Sequence, residues 1–254
     1  MTDRPYGDLR HLVSDACRVL AARGLADGIL GHVSLRVGDG TLLVRCRGPR
    51  ERGLRHTTPD DIHLVDLAGA PAGAGELDGG WTPPNELPLH TEVLRRRPDV
   101  QSVVHVHPPA VVAADLAGLT IRPIVGAYDI PGTRTAAGGV PVYPRGVLVR
   151  DRRLAAEMTE ALGAGPAVVL RAHGLTSTGA SVPEAVLRAI SLDTIARLSL
   201  HIVQAGGTLT DLPEDDLAEL PDLGDTFNHT TAWRHELTRC APDPGPHPYL
   251  RPEN

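Results

Sequence analysis

Lysine is absent: all 25 basic residues of this chain are arginine. No side chain can therefore form a Schiff base with a carbonyl substrate or act as the lysine of a phosphate-binding loop, so carbonyl chemistry needs a metal or another cofactor. Aromatic residues are nearly as scarce, at 3% with Phe227 the sole phenylalanine, which leaves Val, Leu, Ile and Ala to fill the core. The three cysteines, Cys17, Cys46 and Cys240, are odd in number and far apart, against both a disulfide framework and a Cys-x-x-Cys zinc site. Nowhere do 18 apolar residues run together, and the opening MTDRPYGDLR lacks the apolar centre of a signal peptide. A cytoplasmic protein with no membrane partner is expected. Charge blocks are missing too. The net charge of −6 is dispersed, which gives no nucleic-acid surface, and the short arginine runs at 95–97 and 150–153 read as solvated helix ends.

What is present is a chain of 254 residues without an evident linker, long enough for one large core. The expectation is a single domain over 1–254 with a proline-rich tail at 240–254. Leu9, Leu12, Val13, Ala16 and Leu20 share one face of a helix over 8–23 that Gly24 stops. Strands are expected at 28–37 and 41–47 around Gly38-Asp39-Gly40, and at 61–67. A helix over 86–97, with Asn85 as its N-cap, leads past Pro98 to a buried strand at 100–107. Further helices are expected at 110–117 and 150–162, and strands at 140–143 and 166–171. Ser181-Val-Pro-Glu184 is a capping box that opens a long helix to about Gln204. Helices alternating with strands indicate an α/β fold, three-layer α/β/α with a mixed sheet.

The chemistry gathers around His105-Val106-His107. Residues i and i+2 of a strand share a face, so two imidazoles can converge on one ion, although an isolated pair of this kind also occurs as surface or core residues. His173, at the end of a second strand, offers a third ligand, and three such ligands leave positions open for water or substrate. Glu86 offers an acid/base or a fourth ligand.

The run E-x3-H-x14-H-x-H-P (Glu86, His90, His105, His107, Pro108), the later A-H-G-x4-G (Ala172 to Gly179) and the Ser181-x-x-E-A opening together resemble the class II aldolase/adducin family over roughly residues 8–205. That resemblance implies a class II aldolase-like, largely antiparallel central sheet and a divalent metal ion (Zn, Mn or Fe) on His105, His107 and His173. It implies Glu86 as the catalytic carboxylate, His90 as a packing residue near the metal, Tyr128 as a tyrosine reaching into a neighbouring subunit's site, and a homo-oligomer, usually a tetramer.

Two departures bear on the substrate. Sugar-phosphate aldolases of the family hold phosphate with G-N-x-S and S-S-E segments, whereas the corresponding places here read Gly31-His32-Val33-Ser34 and Pro84-Asn85-Glu86. Losing those small donors argues against a phosphate. A small carboxylated substrate fits better, since arginine pairs with carboxylates through two parallel hydrogen bonds. Arg47, Arg50, Arg52, Arg55 and Arg134 lie in loops, and His32, Ser34, Asn85 and Arg50 are the candidate substrate-binding residues. The GHVSLR turn and R-G-x-R loop resemble family members that decarboxylate hydroxyphthalates or hydroxypyridine dicarboxylates.

The leading expectation is a metal-dependent carbon–carbon lyase, a decarboxylase of an ortho-hydroxy aromatic or heteroaromatic carboxylate. The ion would act as a Lewis acid, and Glu86, its pKa raised by burial, or a water it orients would protonate the ring carbon. Three alternatives have separate signatures. An aldolase on an unphosphorylated hydroxy-ketone or keto-acid releases an aldehyde, a non-haem iron oxygenase consumes oxygen, and a non-catalytic adducin-like binding module does not need all three histidines.

Overall fold

The computed structural model describes residues 4–240; the proline-rich tail expected at 240–254 lies, beyond Cys240, outside the described residues. Helix α1 (Gly7–Ala22) precedes a hairpin of β1 (His32–Gly38) and β2 (Thr41–Arg45) and then β3 (Ile62–Asp66). α2 (Leu87–Arg96), β4 (Ser102–Val106), α3 (Pro109–Leu116), α4 (Ile130–Thr135) and β5 (Val142–Tyr143) follow. α5 (Arg152–Leu162), β6 (Ala167–Leu170), β7 (Gly174–Gly179) and α6 (Val182–Gln204) complete the central part. α7 (Glu214–Glu219) and a π-helical turn (Thr226–Thr231) running into α8 (Ala232–Cys240) end it. The seven strands form one sheet in the order β3-β2-β1-β4-β7-β6-β5, antiparallel except for the β5–β6 edge. This is the mixed, largely antiparallel α/β architecture expected. Among the described residues no helix is long and apolar enough to cross a membrane.

The pleat divides the apolar side chains between two cores. Leu43, Val104, Val106 and Val169 point to a core shared with α1, α3 and α6. Their neighbours Leu42, Val44, Val103, Val168 and Leu170 point the other way, onto α2 and α5. Fully burying one such aliphatic side chain stabilises the fold by about 1.5–3 kcal/mol. Cys17 and Cys46 are buried free thiols in these cores.

Two expectations need correcting, and β7 and α4 are additions to them. The first strand begins at His32, not at residue 28, because Gly28 and Gly31 take positive φ in a turn before it. The α2 N-cap is Glu86, one residue after Asn85, and its carboxylate makes no capping bond because it turns toward the histidines. β7, Gly-Leu-Thr-Ser-Thr-Gly, and α4, Ile-Pro-Gly-Thr-Arg-Thr, form without an expectation for either. Hydroxyls in β7 stand where apolar side chains would have marked a strand. Ser177 Oγ donates to Ala185 O at 2.7 Å and Thr178 Oγ1 to Pro166 O at 3.1 Å, so both are satisfied inside the fold.

Candidate metal centre and active site

β4 carries His105 on the face that also bears Val103, and the chain leaves the strand at His107. Across β4, His32 is the register partner of His105 on one side and Thr176 on the other. α2 lies over this face and brings Glu86 at its first end and His90 one turn on. His173 closes the group from the tight connection between β6 and β7. There Ala172 takes a positive φ of 52°, and Asp115 of α3 holds the turn by accepting from Ala172 N–H at 2.7 Å and Arg171 Nε at 2.9 Å. Gly174 is required next to His173. A Cβ there would meet Val106 O at 2.4 Å and His107 Cδ2 at 2.9 Å.

Nε2 of His105 lies 3.1 Å from Nε2 of His107 and 3.4 Å from Oε2 of Glu86; Nε2 of His173 lies 3.6 Å from the same oxygen. Ligand atoms of the four residues all fall within 4.8 Å of one another. A zinc-like ion bound at about 2.0–2.1 Å in tetrahedral geometry has ligand–ligand edges of roughly 3.4 Å, so the spacing fits. The donor chemistry fits too. His105 Nδ1 is 3.0 Å from Thr176 Oγ1, and with the proton on Nδ1 its Nε2 presents a lone pair to the centre. Nitrogen lone pairs and a carboxylate facing one another repel unless a cation lies between them.

The electrostatics favour ligand forms. Burial, foremost, and then the neighbouring His105 and His173 push His107 down to about 3. His173 is lowered by burial and by His105. Burial and His105 bring His90 to about 3, and burial with His90 and His105 holds His32 well below the usual histidine range. For Glu86, burial acts upward, but the His105 and His173 rings and the Val149 N–H, which donates to Oε1 at 2.9 Å, outweigh it and hold the carboxyl at about 2. The expectation of a raised Glu86 pKa is thus reversed. The imidazole rings and the Val149 N–H around the carboxylate act more strongly than its desolvation.

Of the remaining candidates, His32 and Ser34 turn inward. His90 Nε2 is 2.7 Å from His32 Nδ1, and His90 Nδ1 is 2.7 Å from Ser34 Oγ. With Ser34 donating to His90 Nδ1 and His90 Nε2–H donating to His32 Nδ1, the proton order ends with His32 Nε2–H facing Glu86 Oε2, 3.9 Å away. His90 is thus the packing residue expected, and it orients His32. A cavity of about 420 Å³ opens on the centre, lined by Gly31, His32, Arg47, Asn85, Glu86, His107 and His173 among others. Asn85 is at its mouth. Arg50 lines a separate hollow beside Trp81 and Asp60, and Tyr128 stands 72% exposed outside the cavity of its own chain. A hollow of about 530 Å³ lies at the opposite end of β4 and β7, but its Arg97 and Arg188 are already paired with Asp99 and Glu184. Thr176, Asp115 and the Val149 N–H are parts of the centre that sequence reasoning missed. None of the three left a local signal, because each reaches the centre through tertiary contacts.

This fold and this donor set define a class II aldolase-type enzyme. Residues 11–200 match the family described as Class II Aldolase and Adducin N-terminal domain, and the chain belongs to that family. The branch is narrower. The chain is similar to the 3,4-dihydroxyphthalate decarboxylase of Arthrobacter keyseri, 70% identical over 93% of this chain and 95% of that protein. It is also similar to the protein of the same name from Rhodococcus jostii (strain RHA1), 53% identical over 95% of this chain and 99% of that one. Among solved structures, an aldolase II superfamily protein from Pseudomonas syringae superposes with a TM-score of 0.75 at 21% identity, covering 94% of this chain and 95% of that chain. At that identity the likeness concerns the fold.

Proposed function

We propose that this chain, a carbon–carbon lyase, decarboxylates an ortho-hydroxy aromatic dicarboxylate of the 3,4-dihydroxyphthalate type. The observation that carries the reading is the convergence of His105, His107, His173 and Glu86 at the inner end of a cavity, with His32 and Pro84 standing where a phosphate cradle would need small donors. His105, His107 and His173 would hold a divalent ion, with Zn, Mn and Fe all compatible with imidazole ligands. When bound, the ion supplies Lewis acidity toward the ring hydroxyl.

The chain's own residues manage the proton. Glu86, held as a carboxylate, accepts the proton of the ring hydroxyl and returns it to the ring carbon that bears the leaving carboxylate. The carbon–carbon bond then breaks, its electron pair restores the aromatic ring, and carbon dioxide departs, so that one proton replaces one carboxylate. His32 keeps Glu86 Oε2 directed at the substrate. The half-exposed Ile29, Leu30 and Leu148, two of them at the cavity mouth, support a homotetramer in which a neighbouring copy covers this rim and contributes Tyr128. The reading also takes the chain as one cytoplasmic domain over 1–254.

The test is carbon dioxide release from 3,4-dihydroxyphthalate by protein purified without chelators. Chelation should abolish release and a divalent ion restore it. Retention of both metal content and turnover in His105→Ala or His173→Ala would sink the idea.

A further inference from the structure

The cavity carries more positive charge than a monocarboxylate needs. A histidine binds a metal as the neutral imidazole, Glu86 as a carboxylate contributes one negative charge, and a divalent ion would contribute two positive ones. Arg47, the one arginine among the described residues that line the cavity, adds another. A net charge of about two positive units at the inner end of the cavity is matched by a dianion.

Arg47 is built to stay where it is. Its N–H and C=O exchange hydrogen bonds with Thr82, both 2.9 Å, which fixes the backbone as a rung beside the site. The next residue must be glycine for that rung to close, since a Cβ on Gly48 would lie 2.6 Å from the Trp81 ring. Beyond it, Glu51 takes the Arg45 guanidinium and the Gly53 N–H, the latter at 2.6 Å, so the loop is tied on its far side as well. Arg45 is therefore occupied by Glu51, whereas the ion pairs among the described residues include none to Arg47.

We propose that Arg47 clamps the carboxylate that the substrate keeps, and so selects aromatic 1,2-dicarboxylates over monocarboxylates. This rests on the decarboxylase reading for the identity of the ligand. The departing carboxylate loses its charge as carbon dioxide forms, and an arginine fixed on it would stabilise the ground state and oppose the reaction. The retained carboxylate keeps its charge throughout, so a guanidinium there binds substrate and transition state alike. Arg47 should then act on KM and leave kcat in place.

Two comparisons test this on the metal-loaded enzyme. With 3,4-dihydroxyphthalate, Arg47→Gln should raise KM roughly 10- to 100-fold, the loss of one charge-assisted pair, with kcat within about threefold. By calorimetry, Arg47→Gln should weaken phthalate by a similar factor and 2,3-dihydroxybenzoate, which lacks the second carboxylate, by less than about twofold. Unchanged metal content and thermal midpoint establish that the variant is folded. Equal weakening of the two ligands, or a fall in kcat at constant KM, overturns the assignment. Absence of carbon dioxide from the wild-type enzyme would defeat the decarboxylase reading instead, and the calorimetric pair would still decide the role of Arg47.

Discussion

A histidine offers a metal one ring nitrogen only when the other carries the proton, and at His105 that choice falls to Thr176 at 3.0 Å. Both residues are fully buried, so no solvent can take over the hydroxyl's part. Thr176→Val keeps the shape and deletes the acceptor. Metal affinity should fall about 10- to 100-fold, the usual cost of losing an outer partner of a metal-bound histidine. Competition with a chromogenic chelator would measure it, and an affinity within twofold of wild type would remove Thr176 from the site. The triad itself was legible in the sequence because spacing along β4 and a strand-ending histidine suffice to nominate it. Thr176 was not. Its importance comes from cross-strand register with His105, which no local pattern in Gly-Leu-Thr-Ser-Thr-Gly reports. The arginines divided for a related reason: of five in loops Arg50 was the candidate, whereas the Arg47–Thr82 bridge places Arg47 at the cavity and Arg50 lines a separate hollow.

Among the elements, the β6–β7 turn does the most for the site with the least chain. A left-handed Ala172 costs about 1 kcal/mol, and the buried carboxylate of Asp115 holds it by accepting two hydrogen bonds, from Arg171 Nε and Ala172 N–H. Asp115→Ala frees the turn that presents His173. Stability should drop by roughly 1–2 kcal/mol, and the larger effect should be on metal retention, since one of three histidines then wanders. Urea denaturation together with metal content on the same preparation would separate the two; full metal retention would rule out this positioning role. The helices with strong apolar periodicity, α1, α2 and α5, were readable from sequence, and so was the Ser181 cap, which accepts from Glu184 N–H at 3.3 Å. α4 was hidden by its Pro131 and Gly132. Its start is set by Asp129 Oδ1 accepting from Gly132 N–H at 2.9 Å, and Thr133 Oγ1 anchors it to Val125 O at 2.6 Å.

For the whole molecule, acid sensitivity has a traceable source outside the metal centre. His63 on β3 lies 3.2 Å from Glu76 and 3.1 Å from the Arg4 guanidinium, with Arg10 on the other oxygen of Glu76. Burial first, then Arg4, bring His63 from 6.5 to about 4 despite Glu76. Glu76 itself ends below its usual value because Arg4 and Arg10 outweigh its burial. The unfolded chain therefore binds more protons than the folded one as pH falls below 6.5, and stability declines until His63 also protonates in the fold, near pH 4. The His63 contribution amounts to roughly 3 kcal/mol over that window. Glu76 adds to the decline only once pH drops below its unfolded value. Urea midpoints of wild type and His63→Gln should thus converge as pH is lowered from 6.5 to 4; parallel curves would refute the assignment.

The alternating pleat of β4 has an evolutionary consequence. Val104 and Val106 serve one core while His105 sits on the opposite face. Point substitutions on the cavity rim can retune the ligand while that core goes untouched. A single-residue insertion or deletion within 102–105 has no such freedom. It would turn the strand inside out, handing valines to the ion and a histidine to the oil. Descendants of this enzyme can change their letters in β4 but not its reading frame.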